Sequence, residues 1–280
     1  MGFHYVLNTF LVQDFELFFL NPFLGKKAFQ PFFQKLHYIA LYGQNYGRSG
    51  EYEESGEKVT IDLILQKTEN QPRSVIFDVG ANIGKYSIYV LERCKSNCLV
   101  YSFEPSPTTF VRLRKSLEPY KNAVPVNIGF GRSDEKTILY NNEINTTHAS
   151  LFARDMSHWG TQFALDKAET VEIHTIDEFC MSNKIEWIDF LKIDVEGFEF
   201  NLLQGAEKML ESRSIRFIQF EVGVCAVDAK YFFKDIYQLL AKDYDLFRIL
   251  KDGLYPIQKY NELLEVFLTT NYLAILKNKF

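Results

Sequence analysis

The run Val75-Ile-Phe-Asp-Val-Gly-Ala-Asn-Ile-Gly-Lys-Tyr86 constrains the fold of this chain more than any other, because it joins an apolar strand to a helix through a glycine turn. Val75, Ile76, Phe77 and Val79 make a partly β-branched run of the length of a central parallel strand, covered on both faces. Gly80 and Gly84 break it. Without a Cβ they permit a tight turn and close approach of backbone to a ligand, while the amides opening the next helix point into the same space. Ile83, Ser87, Val90, Leu91 and Cys94 follow at helical spacing, so one stripe of that helix packs back on the sheet. A second strand, Leu99 to Phe103, ends at Glu104-Pro105-Ser106-Pro107. That puts a carboxylate at a strand tip roughly twenty residues past the loop, where nucleotide-type βαβ units grip a ribose diol.

The loop itself narrows the ligand. A dinucleotide fingerprint reads G-x-G-x-x-G and seats a pyrophosphate on the helix N-terminus, whereas this loop reads Asp78-x-Gly80-x-Asn82-x-Gly84. An acid there repels phosphate and suits an aminoacyl ammonium or a sulfonium. The expected ligand is therefore S-adenosylmethionine, held by Asp78, Gly80, Ala81, Asn82, Gly84, Tyr86, Glu104, Pro105 and Ser106. Taken singly, the glycines only shape a turn and Glu104 only precedes a helix; the ordered set carries the inference. The same loop disfavours a nicotinamide dehydrogenase.

Phe77-Asp-Val-Gly-Ala-Asn-Ile-Gly84, Phe103-Glu-Pro105 and Leu191-Lys-Ile-Asp-Val-Glu-Gly-Phe-Glu199 together resemble the FkbM family of S-adenosylmethionine-dependent methyltransferases. The resemblance is good over about residues 75 to 222, looser toward the C-terminus and nearly absent before the first strand. It implies a Rossmann-like class I methyltransferase fold of the α/β class, a seven-stranded mostly parallel sheet with helices on both faces. It also implies, most commonly, O-methylation, with the cofactor's adenine beside Asn127 and Gly129 at the tip of a third strand, Val124 to Ile128. The family's acceptors are diverse, so a hydroxyl of a small-molecule or glycan-type acceptor is as far as the resemblance reaches. A catalytically idle S-adenosylmethionine-binding scaffold is the rival reading, opposed by the intact Asp194 and Glu221.

The fourth strand, Trp187 to Val195, carries the chemistry. Alternation puts Lys192 and Asp194 on one face, so Asp194 arrives at the carboxyl end of the sheet beside the expected methyl group. Asp194 is the first candidate for orienting or deprotonating the acceptor. His148 is the alternative base, better matched in ordinary pKa to neutral pH. Lys192 and Glu221 follow as groups that could equally be structural partners of Asp194, and Glu196 and Glu199 as acids that a helix N-terminus favours in any case. His174, among apolar neighbours, reads as structural. Asp194, Glu221 and His148 could converge on a divalent ion, but nothing in their spacing demands one, so no metal ligand is assigned.

Composition excludes several classes. The net charge of -5, with no Lys/Arg run, opposes a nucleic-acid-binding surface. The Asp/Asn-Pro-Pro-Tyr/Phe signature of base amino-methyltransferases is missing, since strand four is followed by Val195-Glu-Gly197. Cys94, Cys98, Cys180 and Cys225 form no metal pattern and no dense disulfide framework, which reads as reduced thiols and a cytoplasmic location. Phe3, Tyr5, Phe10, Phe15, Phe18, Phe19 and Phe23 make the N-terminus aromatic, yet Asn8, Gln13, Asp14 and Glu16 interrupt it, so neither a transmembrane helix nor a secretory signal is expected. It reads as a segment that packs on the domain or on a second subunit, giving a homo-oligomer, with peripheral membrane contact as the alternative.

The expected organisation is a helical N-terminal extension over 1–72 and a methyltransferase domain over 73–280. In the extension, Pro31 opens a helix that Gly43 stops, and Val59 to Gln66 leans to helix. From about 141 to 170 no period is sustained, which reads as a lid carrying Asn145, Thr146, Thr147, His148, Ser150, Arg154, His158 and Trp159.

Overall fold

The computed structural model describes residues 20–48, 52–69, 73–94, 97–141, 149–151 and 167–277. Most of the expected lid, with His148, Arg154, His158 and Trp159, lies outside the described residues, as do the aromatic residues before 20. The chain divides into two compact units, Met1–Gln44 and Asn45–Phe280. In the first, Pro31 occupies the first turn of the helix Gln30–Gly43, where its missing N–H costs nothing. No side chain of that helix is buried.

The second unit is built on a sheet with strand order β10-β9-β11-β8-β7-β1-β2-β3. The strands are β1 Ser74–Val79, β2 Cys98–Phe103, β3 Ala123–Val126, β7 Ile188–Ile193, β8 Ile215–Val222, β9 Tyr244–Leu250, β10 Gly253–Ile257 and β11 Thr270–Leu276. β3, β2, β1, β7 and β8 run parallel, and β11, β9 and β10 add antiparallel pairs. This is the expected seven-stranded class I arrangement with one strand more, because the turn after Leu250 folds β10 back on β9. A separate small sheet joins β4 Gly129–Phe130, β6 Lys167–His174 and β5 Glu135–Asn141.

Two apolar layers cover the large sheet. Phe77, Val79, Leu191, Ile193, Ile218 and Phe220 face one of them. Ile76, Val100, Phe190 and Phe217 face the other, with Val90 and Leu91 of the helix Lys85–Cys94 and Leu113 and Leu117 of the helix Pro107–Leu117. Ile61 and Ile64 of the helix Glu57–Thr68 join this second layer. The helix Glu57–Thr68 thus belongs to the sheet-bearing unit, Asn45–Phe280.

One expectation about thiols is corrected. Cys94, ending its helix, and Cys98, opening β2, are paired as a disulfide, while Cys180 and Cys225 are buried thiols. Their spacing of four residues matches no familiar motif, and only the close return of the chain from helix to strand brings them together.

Candidate active site

β1, β2 and β7 end side by side, and their tips are tied through the backbone. Asp194 N donates to Val79 O at 3.0 Å, and Gly80 N and Ala81 N both donate to Phe103 O, at 3.1 and 2.9 Å. Gly80 has φ +82°, and a Cβ there would run into the Asp194 carbonyl oxygen. Its role in the loop is thus to let the β1 tip close on the β7 tip. Gly84, at φ +87°, would press a Cβ against Leu113 at 2.9 Å, so it seats the next helix. Asn82 also takes a left-handed φ, of 50°.

Glu104 sits across from this loop, 7% exposed. Its two oxygens accept from Asn82 N at 3.0 Å and Ser106 N at 2.9 Å. Burial pushes its carboxyl up to about 7, against the pull of those two amides. Ser106 caps the helix Pro107–Leu117 by accepting from Thr109 N, and donates to Glu169 at 2.5 Å. Asn127 donates to the carbonyls of Glu104 and Pro105 at 2.8 and 3.0 Å, which fixes the β2 tip. Gly129 is packed against Pro105 and Ile173, so close that a Cβ would meet the Ile173 side chain at 2.6 Å.

Beneath the loop runs a buried polar row. Ser102, Asp78, Lys192 and Gln219 are in register across β2, β1, β7 and β8, each at most 4% exposed. Ser87 Oγ donates to Asp78 Oδ2 at 2.6 Å and lies 2.6 Å from Ser102 Oγ. Lys192 Nζ stands 3.8 Å from Asp78 Oδ1, 2.9 Å from Asp194 Oδ2 and 4.7 Å from the centre of the Tyr86 ring. Burial alone would lower the lysine's pKa, but Asp194, Asp78 and Glu57 together hold it above its ordinary value. Burial raises the Asp78 carboxyl, with Lys192 and Ser87 opposing. Asp78 therefore faces Ser87 and Lys192. Asp194 differs: its side chain is 43% exposed, one residue past the end of β7.

The acids that follow divide by role. Glu199 accepts from Val195 N, Gly197 N and, at 2.7 Å, Tyr231 OH, so it staples the turn after β7; burial lifts it to about 7. Glu196 takes φ +51° and accepts from Cys225 Sγ at 2.9 Å. Glu221 is half-buried near the β8 tip, and burial, then the charges of Asp194, Glu196, Glu199 and Glu57, hold its carboxyl well above the usual range. His174 Nδ1 is 3.3 Å from Asp134, at the edge of the small sheet. Among the described residues no group of three or more His, Cys, Asp or Glu side chains is arranged to hold a metal ion.

Sequence reasoning brought Asp78, Gly80, Lys192, Asp194, Glu104 and Tyr86 to this place and passed over Ser87, Ser102, Gln219 and Glu57. The signal for Gln219 was available, as a lone amide between Ile218 and Phe220 in phase with the β-strand period. Glu57 carried none, because an acid opening a helix is the ordinary surface pattern.

The chain is 27% identical over 170 residues to the hexuronic acid methyltransferase AglP of Haloferax volcanii, covering 60% of this chain and 64% of that protein. It is 25% identical over 147 residues to the 2-O-methyltransferase NoeI of Sinorhizobium fredii, covering 50% and 60%. The chain thus spans less than two thirds of the length of either relative. A solved FkbM methyltransferase from Methylobacillus flagellatus aligns with 72% of this chain and 44% of its own at 15% identity and a TM-score of 0.45. The FkbM methyltransferase domain profile matches residues 78–246, more than half of the chain and all of the strand tips described above, and the chain belongs to that family.

Proposed function

We propose that this protein is an S-adenosylmethionine-dependent O-methyltransferase acting on a hydroxyl of a small-molecule or glycan-type acceptor. The observation that carries the reading is Asp194, a carboxylate at the open end of the sheet, tethered by a buried lysine and backbone-locked to the glycine loop. The names of two relatives, one specifying a hexuronic acid and one a 2-O position, favour a sugar hydroxyl. The Cys94–Cys98 pair removes the ground on which thiol content alone suggested a reducing compartment. Among the described residues no helix is long and apolar enough to cross a membrane.

The residues present fit the cofactor. Glu104 offers a carboxylate to a ribose diol, and the acids Asp78 and Asp194 favour a cation over a phosphate. The bound cofactor supplies an electrophilic methyl group. The chain's own contribution is alignment and a proton acceptor: Asp194 would take the proton that the acceptor hydroxyl gives up on methylation. Proton removal of this kind is worth typically 10² to 10⁴ in rate.

The test is release of S-adenosylhomocysteine with a panel of sugar glycosides led by p-nitrophenyl glucuronide. Wild type is expected to turn over on at least one of them. Asp194→Asn should keep cofactor affinity within a few-fold and lose at least about a hundredfold in turnover. Wild-type turnover in that variant would remove Asp194 from the reaction.

A further inference from the structure

Glu104, Pro105 and Ser106, which lead from β2 into the helix Pro107–Leu117, are each held from the side of the small sheet. Asn127 donates to the carbonyls of Glu104 and Pro105, and Gly129, opening β4, packs on Pro105. Ser106 is held by Glu169 of β6. Oε2 of Glu169 accepts from Ser106 Oγ at 2.5 Å and, at 2.8 Å, from Asn141 Nδ2 at the end of β5. Oε1 accepts from Thr108 Oγ1. One half-buried carboxylate therefore ties both long strands of the small sheet to the start of that helix.

The tie bears on Glu104 through Ser106. Ser106 is 1% exposed, and its hydroxyl has a single proton to give. With that proton directed to Glu169, the oxygen faces Thr109 N, 3.1 Å away, and the residue's own N–H meets Glu104 Oε1 at 2.9 Å. Glu104 is thus gripped on one oxygen by the glycine loop, through Asn82 N, and on the other by a residue whose setting Glu169 fixes. We propose that Glu169 is a positioning residue for the cofactor, holding Ser106 so that the Glu104 carboxylate meets the ribose diol in one orientation. The proposal rests on the reading of Glu104 as the ribose acid. The small sheet then takes part in cofactor binding by way of the β2 tip.

The test is calorimetric titration with S-adenosylhomocysteine, well below the Tm of each variant. Glu169→Ala removes all three bonds and should weaken binding about tenfold, with kcat at saturating cofactor within about twofold on the best acceptor of the glycoside panel. Glu169→Gln should bind within about twofold of wild type, because its amide oxygen can accept from Ser106 and Asn141 while its NH₂ donates to the Thr108 hydroxyl. In Glu104→Gln, adding Glu169→Ala should cost less than about a further twofold, since the carboxylate to be oriented is gone. If Glu169→Ala does not fold, Ser106→Gly removes the hydroxyl, keeps the N–H and a tolerated helix cap, and carries the same expectation. A merely structural tie would lower Tm and leave affinity alone. Unchanged affinity in Glu169→Ala or, failing it, in Ser106→Gly would overturn the positioning role. So would Glu169→Gln as weak as Glu169→Ala, a kcat that falls with affinity, or losses that multiply in the double variant. Glu104→Gln binding as tightly as wild type would instead overturn the reading of Glu104, and this role with it.

Discussion

Glu104 holds two backbone amides and has a carboxyl lifted by burial to about 7, so its charge state changes near neutral pH. Only the ionised form can accept from both hydroxyls of a ribose, each such bond contributing about 1.5–3 kcal/mol. Affinity for S-adenosylmethionine should therefore rise as pH passes through about 7 and then level off. Calorimetry across that range checks this. Glu104→Gln should bind roughly ten- to a hundredfold more weakly and lose the pH dependence; an unchanged slope would place the titrating group elsewhere. Single residues were legible in the sequence where strand phase and strand tips decide position, as for Lys192, Asp194 and Glu104. Direction was not legible. Asp78 read as a group facing the ligand, yet Ser87 and Lys192 take it inward, and neither contact leaves a mark in the spacing.

At the scale of elements, periodicity found the parallel strands and the helices between them, because burying apolar stripes on both faces of a sheet leaves few other solutions. Ser106 as the cap and Pro107 in the first turn are residue types that mark the start of Pro107–Leu117. What periodicity could not show is why each glycine is a glycine. Gly80 and Gly84 read as room for a ligand, whereas the structure spends them on packing against Asp194 and Leu113. Gly80→Ala should consequently behave as a folding defect, with strain of about 1–3 kcal/mol from φ alone before the collision is counted. Gly43→Ala, where a Cβ meets nothing within 4 Å, should be neutral or stabilising by up to about 1 kcal/mol. Chemical denaturation of the two variants compares them directly; equal stability would mean that the β1 and β7 tips yield more readily than their contact suggests.

Across the whole molecule the buried carboxyls point one way. Glu104 and Glu199 are raised to about 7 from 4.5, and Asp78, Glu57 and Glu221 are raised as well, all chiefly by burial. The folded chain thus keeps protons that the unfolded chain gives up above about 4.5. That stability is fully present below the unfolded value and is lost as pH rises through about 7. Without cofactor, Tm should fall between pH about 5 and about 7.5, and a flat or rising curve would show that these carboxyls are ionised at little cost. Asn45 is held by partners distant in sequence, Ile249 and Thr270, contacts that leave no mark in the spacing. The locked tips of β1 and β7 have a consequence for descent. Because the glycine loop and Asp194 share one backbone joint, a change at either tip displaces the other, and selection meets the two as a single unit.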